Sequence, residues 1–165
     1  MSITKIVDLL IVLPDRLLRT LESPGLLSIR LWIGWEFFKS GWLKITNWDS
    51  TLFLFHQEYH VPLLPPDMAA VLGTGGELVF PVLLWLGVAG RLGALGLSAV
   101  NAMAVVAYAE VLLAEGFEAA LAQHYLWGFG LAVLAIAGPG RLSIDDWLTR
   151  QRRSTSHGRS AIATA

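Results

Sequence analysis

Four stretches of the chain are long and apolar enough to cross a bilayer, and more polar segments separate them. They cover residues 26–45, 69–88, 93–113 and 121–137. Each is close to the roughly 17 to 25 residues that a spanning helix needs. We therefore predict an all-α membrane protein in which residues 1–147 form a single domain built on a bundle of four transmembrane helices.

The segments outside the spans have patterns of their own. Residues 1–22 repeat apolar side chains at helical spacing between charged ones, which predicts an amphipathic helix lying in the headgroup region and kinked at Pro14. The aromatic residues of Trp48–Pro66 favour the membrane interface and predict a short outer loop that covers the mouth of a cavity. Residues 148–165 are rich in Ser, Thr, Ala and Arg, and we expect a disordered basic tail that attracts anionic lipid.

The composition is that of a membrane protein, and the distribution of Lys and Arg along the chain predicts its orientation. The chain is 55% apolar and 15% charged, whereas soluble domains are about 45–50% apolar and about 25% charged. Lys and Arg precede the first span, separate the second from the third and follow the fourth, while the other two connections carry only acidic charges. Because cytoplasmic loops are rich in Lys and Arg, both termini are expected in the cytoplasm. The absence of cysteine excludes disulfides and thiolate-held metals or clusters in this chain.

Glu77 is the most informative polar residue, because it interrupts an otherwise uncharged span. A charge near mid-bilayer costs roughly 2.5 to 3.5 kcal/mol on insertion scales, so it normally faces a partner or a wet cavity. We expect Glu77 to face inward, toward Arg30, Lys39 or Lys44. Two interpretations stay open: a buried structural ion pair, or a site for a ligand or a proton.

The first span carries charges on two sides. Arg30 and Lys44 lie on one stripe near its ends, where they either snorkel to the two interfaces or line the site. Glu36 and Lys39 lie opposite, at a spacing that permits an ion pair. Two polar stripes leave little surface for lipid, which indicates that this helix is central or that one stripe meets another subunit.

Three further residues complete the predicted ligand site. Asn101 is expected to hydrogen-bond between helices. Glu110 and His124 lie near the outer face, where His124 either titrates, binds a metal or is a satisfied hydrogen-bonding residue. The full set of ligand-binding candidates is Arg30, Glu36, Lys39, Lys44, Glu77, Asn101, Glu110 and His124.

The outer loop contains a possible metal site. His56, Glu58 and His60 share a face if this stretch is extended, and the two histidines share one if it is helical. Imidazole suits copper or zinc. The alternative is a pair of neutral histidines at the interface.

Several short motifs, in register with the spans over residues 26–147, carry a resemblance to a known family. They are Arg30, Gly34, Gly41 and Lys44, then Glu77, Leu86-Gly87 and Arg91, and finally the run Gly138–Asp145. With these motifs the chain resembles the DoxX family of small four-helix membrane proteins. Glu58-Tyr59, Val61-Pro62, Leu64-Pro65-Pro66 and Ala69-Ala70 look more narrowly like its HvfX-type branch, whose members are encoded beside enzymes that make modified copper-buffering peptides.

The resemblance implies an accessory protein of the bacterial inner membrane that serves redox or copper stress homeostasis. Its polar intramembrane cavity would hold a small molecule or a modified peptide, with quinone or copper as the implied cofactors. The alternatives are a membrane subunit of a quinone-linked oxidoreductase, and a scaffold or small transporter. Besides lipid, the implied partners are a second copy of the chain, a membrane oxidoreductase or a copper-binding peptide, and nucleic acid is not expected.

Overall fold

The computed structural model describes residue 10 and residues 12–163, with side chains through residue 153. Within these residues the protein has seven helices and no strand. In chain order they are α1 (Leu13–Thr46), α2 (Trp48–Gln57), α3 (Pro66–Leu86), α4 (Gly90–Ala107), α5 (Ala109–Leu112), α6 (Glu118–Ala137) and α7 (Ile144–Ala163).

Three of the described helices, α3, α4 and α6, are long and apolar enough to cross a membrane. Helix α1 is longer, with 34 residues, or roughly 50 Å at 1.5 Å per residue. Its charged residues make it less hydrophobic than the other three, and its crossing of the membrane stays a prediction. The all-α fold is confirmed.

The beginning of the chain differs from the predicted arrangement. Residues 13–22 form the first turns of α1 and are continuous with the helix that carries Arg30, whereas a separate interfacial helix was expected. Pro14 lies in the first turn of α1, where a proline costs little because that N–H has no helical acceptor. The rest of the predicted interfacial helix, residues 1–9 and residue 11, lies outside the described residues.

The end of the chain was predicted to be disordered from residue 148, whereas the structure continues α7 to Ala163. The helix has favourable starting contacts. The Asp146 N–H donates to Ser143 Oγ at 3.2 Å, and the Asp146 carboxylate pairs with Arg150 Nε one turn later at 2.6 Å. Acidic residues in a first turn also complement the helix dipole.

The helices enclose one main core. Helix α1 packs against α3 and, less extensively, against α6, while α4 packs against both α3 and α6. The side chains buried between them are mainly aliphatic, with one phenylalanine: Leu26, Ile33, Phe37, Leu84, Ala94, Leu97, Leu131 and Leu134. A smaller cluster around Phe55 joins α2 to the start of α3. These contacts leave space between the four long helices toward the α2 end.

Candidate functional site

A cavity of about 470 Å³ lies between α1, α3, α4 and α6, next to α2 and the segment that follows it. Most of its wall is apolar, and its aromatic members are Phe37, Phe55, Tyr59, Tyr108 and Trp127. The charged or strongly polar lining residues are few: Glu36, Ser40, Lys44, Glu77 and His124. This combination is typical of small-molecule sites, where an apolar wall carries a few placed polar groups.

Lys44 and Glu77 form an ion pair on the cavity wall. Lys44 Nζ lies 2.6 Å from both carboxylate oxygens of Glu77. Ser40, one turn before Lys44, accepts a hydrogen bond from Lys44 Nζ at 2.8 Å and donates one to Glu77 Oε1 at 3.3 Å. Glu77 is buried, and the side chain of Lys44 is 21% exposed. Glu77 therefore faces a cation of α1, as expected, and the structure selects Lys44 among the three candidates.

Gly41 allows this pair to form. It lies where α1 crosses α3, and a Cβ at this position would be 2.9 Å from Glu77 Cβ and 3.1 Å from the Glu77 carbonyl carbon. Only a residue without a side chain lets the two helices approach this closely. The glycine thus brings Lys44 within hydrogen-bonding distance of Glu77.

Glu36 and Lys39 form the predicted pair within α1, with Lys39 Nζ 3.0 Å from Glu36 Oε2. Glu36 lines the cavity. Lys39 does not line it, and its side chain is 47% exposed. The pair therefore extends from the cavity wall to the outer surface of the helix.

Asn101 and His124 link α4 to α6, as predicted for Asn101. Asn101 Nδ2 donates to the backbone carbonyl of His124 at 3.0 Å, and Asn101 Oδ1 lies 2.9 Å from His124 Nδ1. His124 packs edge to face against Trp127, with ring centroids 5.0 Å apart. The Trp127 indole nitrogen is buried with no hydrogen-bond partner in the structure.

Arg30 lies elsewhere and does neither of the things expected of it. It is fully buried, so it does not snorkel to an interface, and it is not part of the cavity wall. Its Nη1 donates to the Pro139 carbonyl at 2.8 Å, and its Nη2 donates to the Leu142 carbonyl at 2.6 Å. Arg30 therefore holds the α6–α7 connection against α1. Glu110, another predicted ligand residue, is exposed on α5 and also lies away from the wall.

The segment after α2 lines the α2 end of the cavity. Tyr59 contacts the rings of Phe55 and Tyr108 edge to face, at centroid distances of 4.9 and 5.2 Å. The His60 N–H donates to the Ala107 carbonyl at the end of α4 at 2.8 Å. Burial raises the pKa of the Tyr59 hydroxyl, so at neutral pH this group is a hydrogen-bond donor on the cavity wall.

The structure does not assemble the predicted metal site. His56 is in the last turn of α2, where its Nε2 lies 2.8 Å from Asp67 Oδ1. Glu58 and His60 follow the helix end. Across residues 12–153, no group of three or more His, Asp or Glu side chains is close enough to hold a metal ion. Because α2 ends at Gln57, no single helix carries all three residues.

Comparison with known proteins identifies the family of this cavity-containing bundle. The DoxX family profile matches residues 25–110, which is just over half of the chain and includes Lys44, Glu77 and Asn101. The chain belongs to the DoxX family. It is also 31% identical over 126 residues to an uncharacterized protein of Haemophilus influenzae, covering 73% of this chain and 81% of that relative. No solved structure matches the chain.

Two site residues of this DoxX protein escaped the sequence analysis, and both have a local signal. Ser40 lies one helical turn before Lys44, which places its hydroxyl beside the ammonium. Trp127 lies three residues after His124 on α6, so the two side chains share one face of this helix and their rings are in contact. His124 and Trp127 lie beyond the part of the chain that the family profile matches.

Proposed function

We propose that this DoxX protein is an inner-membrane accessory protein of redox stress homeostasis that binds a small amphipathic molecule in its cavity. The observation that carries the proposal is the Lys44–Glu77 ion pair, which lies on the wall of an otherwise mainly apolar cavity of about 470 Å³. Small-molecule sites usually measure about 300–1,000 Å³. The cavity is therefore large enough for one molecule with an apolar body and a polar group.

The cost of the ion pair supports a role in recognition. Removing two charges from water costs several kcal/mol per ion, and well-packed apolar residues often replace a buried pair without loss of stability. Stability alone therefore does not explain why charges occupy this wall. All three N–H donors of Lys44 already bond Glu77 and Ser40, so a ligand oxygen reaches Lys44 by taking the place of Ser40 Oγ. The Glu77 carboxylate can also accept a hydrogen bond from a ligand, and the pair stays neutral in both cases.

The other lining residues narrow the chemistry of the ligand. The aromatic side chains of the cavity wall favour a flat or aliphatic body, and Lys44 favours a carbonyl or hydroxyl oxygen that replaces Ser40 as its partner. A quinone has both features, so we propose it as the first ligand to test. A modified peptide of many residues exceeds the cavity volume, and copper has no cluster of three ligands across residues 12–153.

A quinone site would also suit the second candidate function, a membrane subunit of a quinone-linked oxidoreductase. The same observation supports it, because Glu36, Glu77 and His124 place groups that can exchange protons on the wall of an aromatic cavity. The two functions differ in their partners. Copurification of a redox enzyme with the wild-type chain would favour the subunit, and isolation of a chain with bound ligand alone would favour the accessory protein.

The direct test is purification in mild detergent, followed by an optical spectrum and mass spectrometry of small molecules extracted from the protein. We expect a quinone or a related amphipathic molecule in a ratio to protein that exceeds its ratio in an unrelated four-helix membrane protein purified in parallel. A chain that retains no small molecule and binds no added quinone would contradict the proposal.

We further propose that α1 is the fourth span and that both termini face the cytoplasm. The three cations of residues 26–45 are compensated within the fold: Arg30 by backbone carbonyls, Lys44 by Glu77, and Lys39 by Glu36. This compensation reduces the cost of placing such a helix in a bilayer.

Single cysteines can test this topology, because the natural chain has none. Arg16→Cys and Asp49→Cys would be placed on opposite sides of the membrane if α1 crosses it. We expect a membrane-impermeant maleimide to label intact spheroplasts at Asp49→Cys and to label Arg16→Cys only after permeabilisation. Labelling of both sites from one side would contradict a spanning α1.

A further inference from the structure

The hydrogen bonds between Asn101 and His124 fix the orientation of the Asn101 amide. The backbone carbonyl of His124 can only accept, so the amide group 3.0 Å away must be the Nδ2 donor. The Asn101 side chain therefore directs its oxygen, which can only accept, to the His124 ring at 2.9 Å. The orientation follows from the chemistry of the carbonyl and does not depend on distinguishing nitrogen from oxygen by position alone.

This arrangement determines the tautomer of His124. Because Asn101 Oδ1 accepts, His124 Nδ1 must carry the hydrogen of this bond. The ring is partly buried and hydrogen-bonds to an uncharged amide, which favours the neutral imidazole. A neutral imidazole with its hydrogen on Nδ1 has a lone pair on Nε2. His124 thus contributes an acceptor to the region where it lines the cavity.

We infer that the cavity selects ligands that donate a hydrogen bond, namely an apolar body bearing a phenolic or similar hydroxyl, whose O–H donates to His124 Nε2. The inference rests on the proposed function, since it specifies the ligand class of the same cavity. Trp127 packs edge to face on His124 and provides an aromatic wall beside this acceptor. Of a quinone and its hydroquinone, the site would favour the hydroquinone, because only the reduced form has O–H groups.

The structure also explains how the acceptor is kept in place. A Cβ at Gly128, one turn after His124, would lie 3.3 Å from Asn101 Nδ2, so glycine leaves room for the amide to reach the backbone. Asn101 itself is buried between α4 and α6 and has two partners on one residue. Asn101 is therefore a positioning residue for His124.

The test compares two probes that differ only in the hydroxyl: 4-tert-butylphenol and its methyl ether, 4-tert-butylanisole. Each is titrated into the purified full chain in detergent and followed by calorimetry. One neutral hydrogen bond is worth roughly a three- to tenfold change in affinity. We expect the ratio of phenol to ether affinity to be higher by this factor in the wild type than in His124→Phe, which removes the acceptor and keeps an aromatic ring.

His56→Phe is the matched control, because His56 pairs with Asp67 and does not line the cavity. It should keep the wild-type ratio. Each probe partitions into the detergent to the same extent whichever variant is present. Comparing the phenol-to-ether affinity ratio between variants therefore cancels this effect. Equal ratios in the wild type and His124→Phe would overturn the inference while leaving a small-molecule cavity in place, whereas failure of both probes to bind the wild type would overturn the cavity proposal and the inference together.

A measurement without ligand provides a second test if His124→Phe does not fold. In the ¹⁵N-labelled wild-type chain, nitrogen NMR distinguishes the ring nitrogen that carries hydrogen from the one that does not. We expect His124 Nδ1 to carry the hydrogen and Nε2 to be unprotonated at neutral pH. A hydrogen on Nε2 would overturn the inference whatever the binding data show.

Discussion

Arg30 and Lys44 are two cations on the same helix, and the structure uses them in opposite ways. Arg30 is fully buried, and two of its nitrogens donate to the carbonyls of Pro139 and Leu142. Lys44 is partly exposed on a cavity wall and pairs with Glu77. Arg30 is closed off from solvent and does not line the cavity, while Lys44 lies beside an open volume.

The difference shows that burial cost alone does not identify a functional charge. Both residues interrupt an otherwise apolar stretch, and both are compensated. They differ in the chemical type of their partner and in whether a cavity lies beside them. Backbone carbonyls give Arg30 a structural role in joining α1 to the α6–α7 connection, whereas a carboxylate partner and an adjacent cavity give Lys44 access to a ligand.

The largest effect is expected from Arg30→Met, which removes the structural cation. It leaves two carbonyls without their donors, and hydrogen bonds to charged groups are each worth about 1.5–3 kcal/mol. We expect a loss of roughly 3 kcal/mol or more, seen as the largest fall in melting temperature in detergent. Arg141→Met, an exposed arginine of the same connection, is the control and should melt near the wild-type temperature. Similar melting of both variants would remove the structural role of Arg30.

A smaller loss is expected from breaking the Lys44–Glu77 pair on one side. Lys44→Met leaves a buried carboxylate without its cation. Loss of one partner costs about 3–5 kcal/mol in a fully buried pair, and the partial exposure of Lys44 should reduce this to about 2 kcal/mol. The double variant Lys44→Met/Glu77→Leu should recover most of the melting temperature. A double variant less stable than either single one would contradict a replaceable ion pair.

Glu77→Gln separates charge from shape at the same position. The amide keeps the size of the side chain and removes the negative charge that Lys44 neutralises. We expect normal protein levels with reduced ligand retention, measured by expression and by extraction of bound small molecules. Loss of folded protein would instead indicate a purely structural pair, and unchanged retention would exclude Glu77 from the site.

Gly41→Ala tests the helix contact that brings the pair together. Its Cβ would lie 2.9 Å from Glu77 Cβ and 3.1 Å from the Glu77 carbonyl carbon, and a packed helix backbone yields only at a cost of about 1–3 kcal/mol. We expect the free energy of unfolding to fall by an amount near the lower end of this range. Ligand retention should also weaken, because the added methyl group pushes the two helices apart.

Gly75→Ala on α3 is the matched control. It should change stability least, and it should raise stability where Gly41→Ala lowers it. No atom lies within 4 Å of a Cβ at this position. Replacing glycine by alanine inside a helix should therefore stabilise the chain by roughly 0.5–1 kcal/mol. A melting temperature that falls as much as in Gly41→Ala would show that the loss does not arise at the α1–α3 contact.

The sequence predicted the parts of this structure that depend on local pattern. Apolar length located α3, α4 and α6, although the predicted span 93–113 continued past the end of α4 at Ala107. The cost of a charge in a span indicated that Glu77 faces a cation. The spacing of Glu36 and Lys39 predicted their pair. These features follow from residues close together in the chain or from a large energetic penalty at one position.

The predictions that failed did so for three different reasons. The carbonyls that hold Arg30 are more than a hundred residues away and leave no side-chain signal. The cap on Ser143 and the Asp146–Arg150 pair extend a helix into a segment whose composition suggested disorder. The predicted histidine site required one secondary structure across residues 56–60, but α2 ends at Gln57.

The most direct test measures stability and ligand retention together in two variants, Lys44→Met/Glu77→Leu and Arg30→Lys. Both are purified in mild detergent, melted, and extracted for mass spectrometry of bound small molecules. We expect the double variant to melt near the wild-type temperature and to lose the ligand, while the folded fraction of Arg30→Lys melts lower and retains it. Wild-type ligand retention in the double variant would contradict a functional role for the Lys44–Glu77 pair.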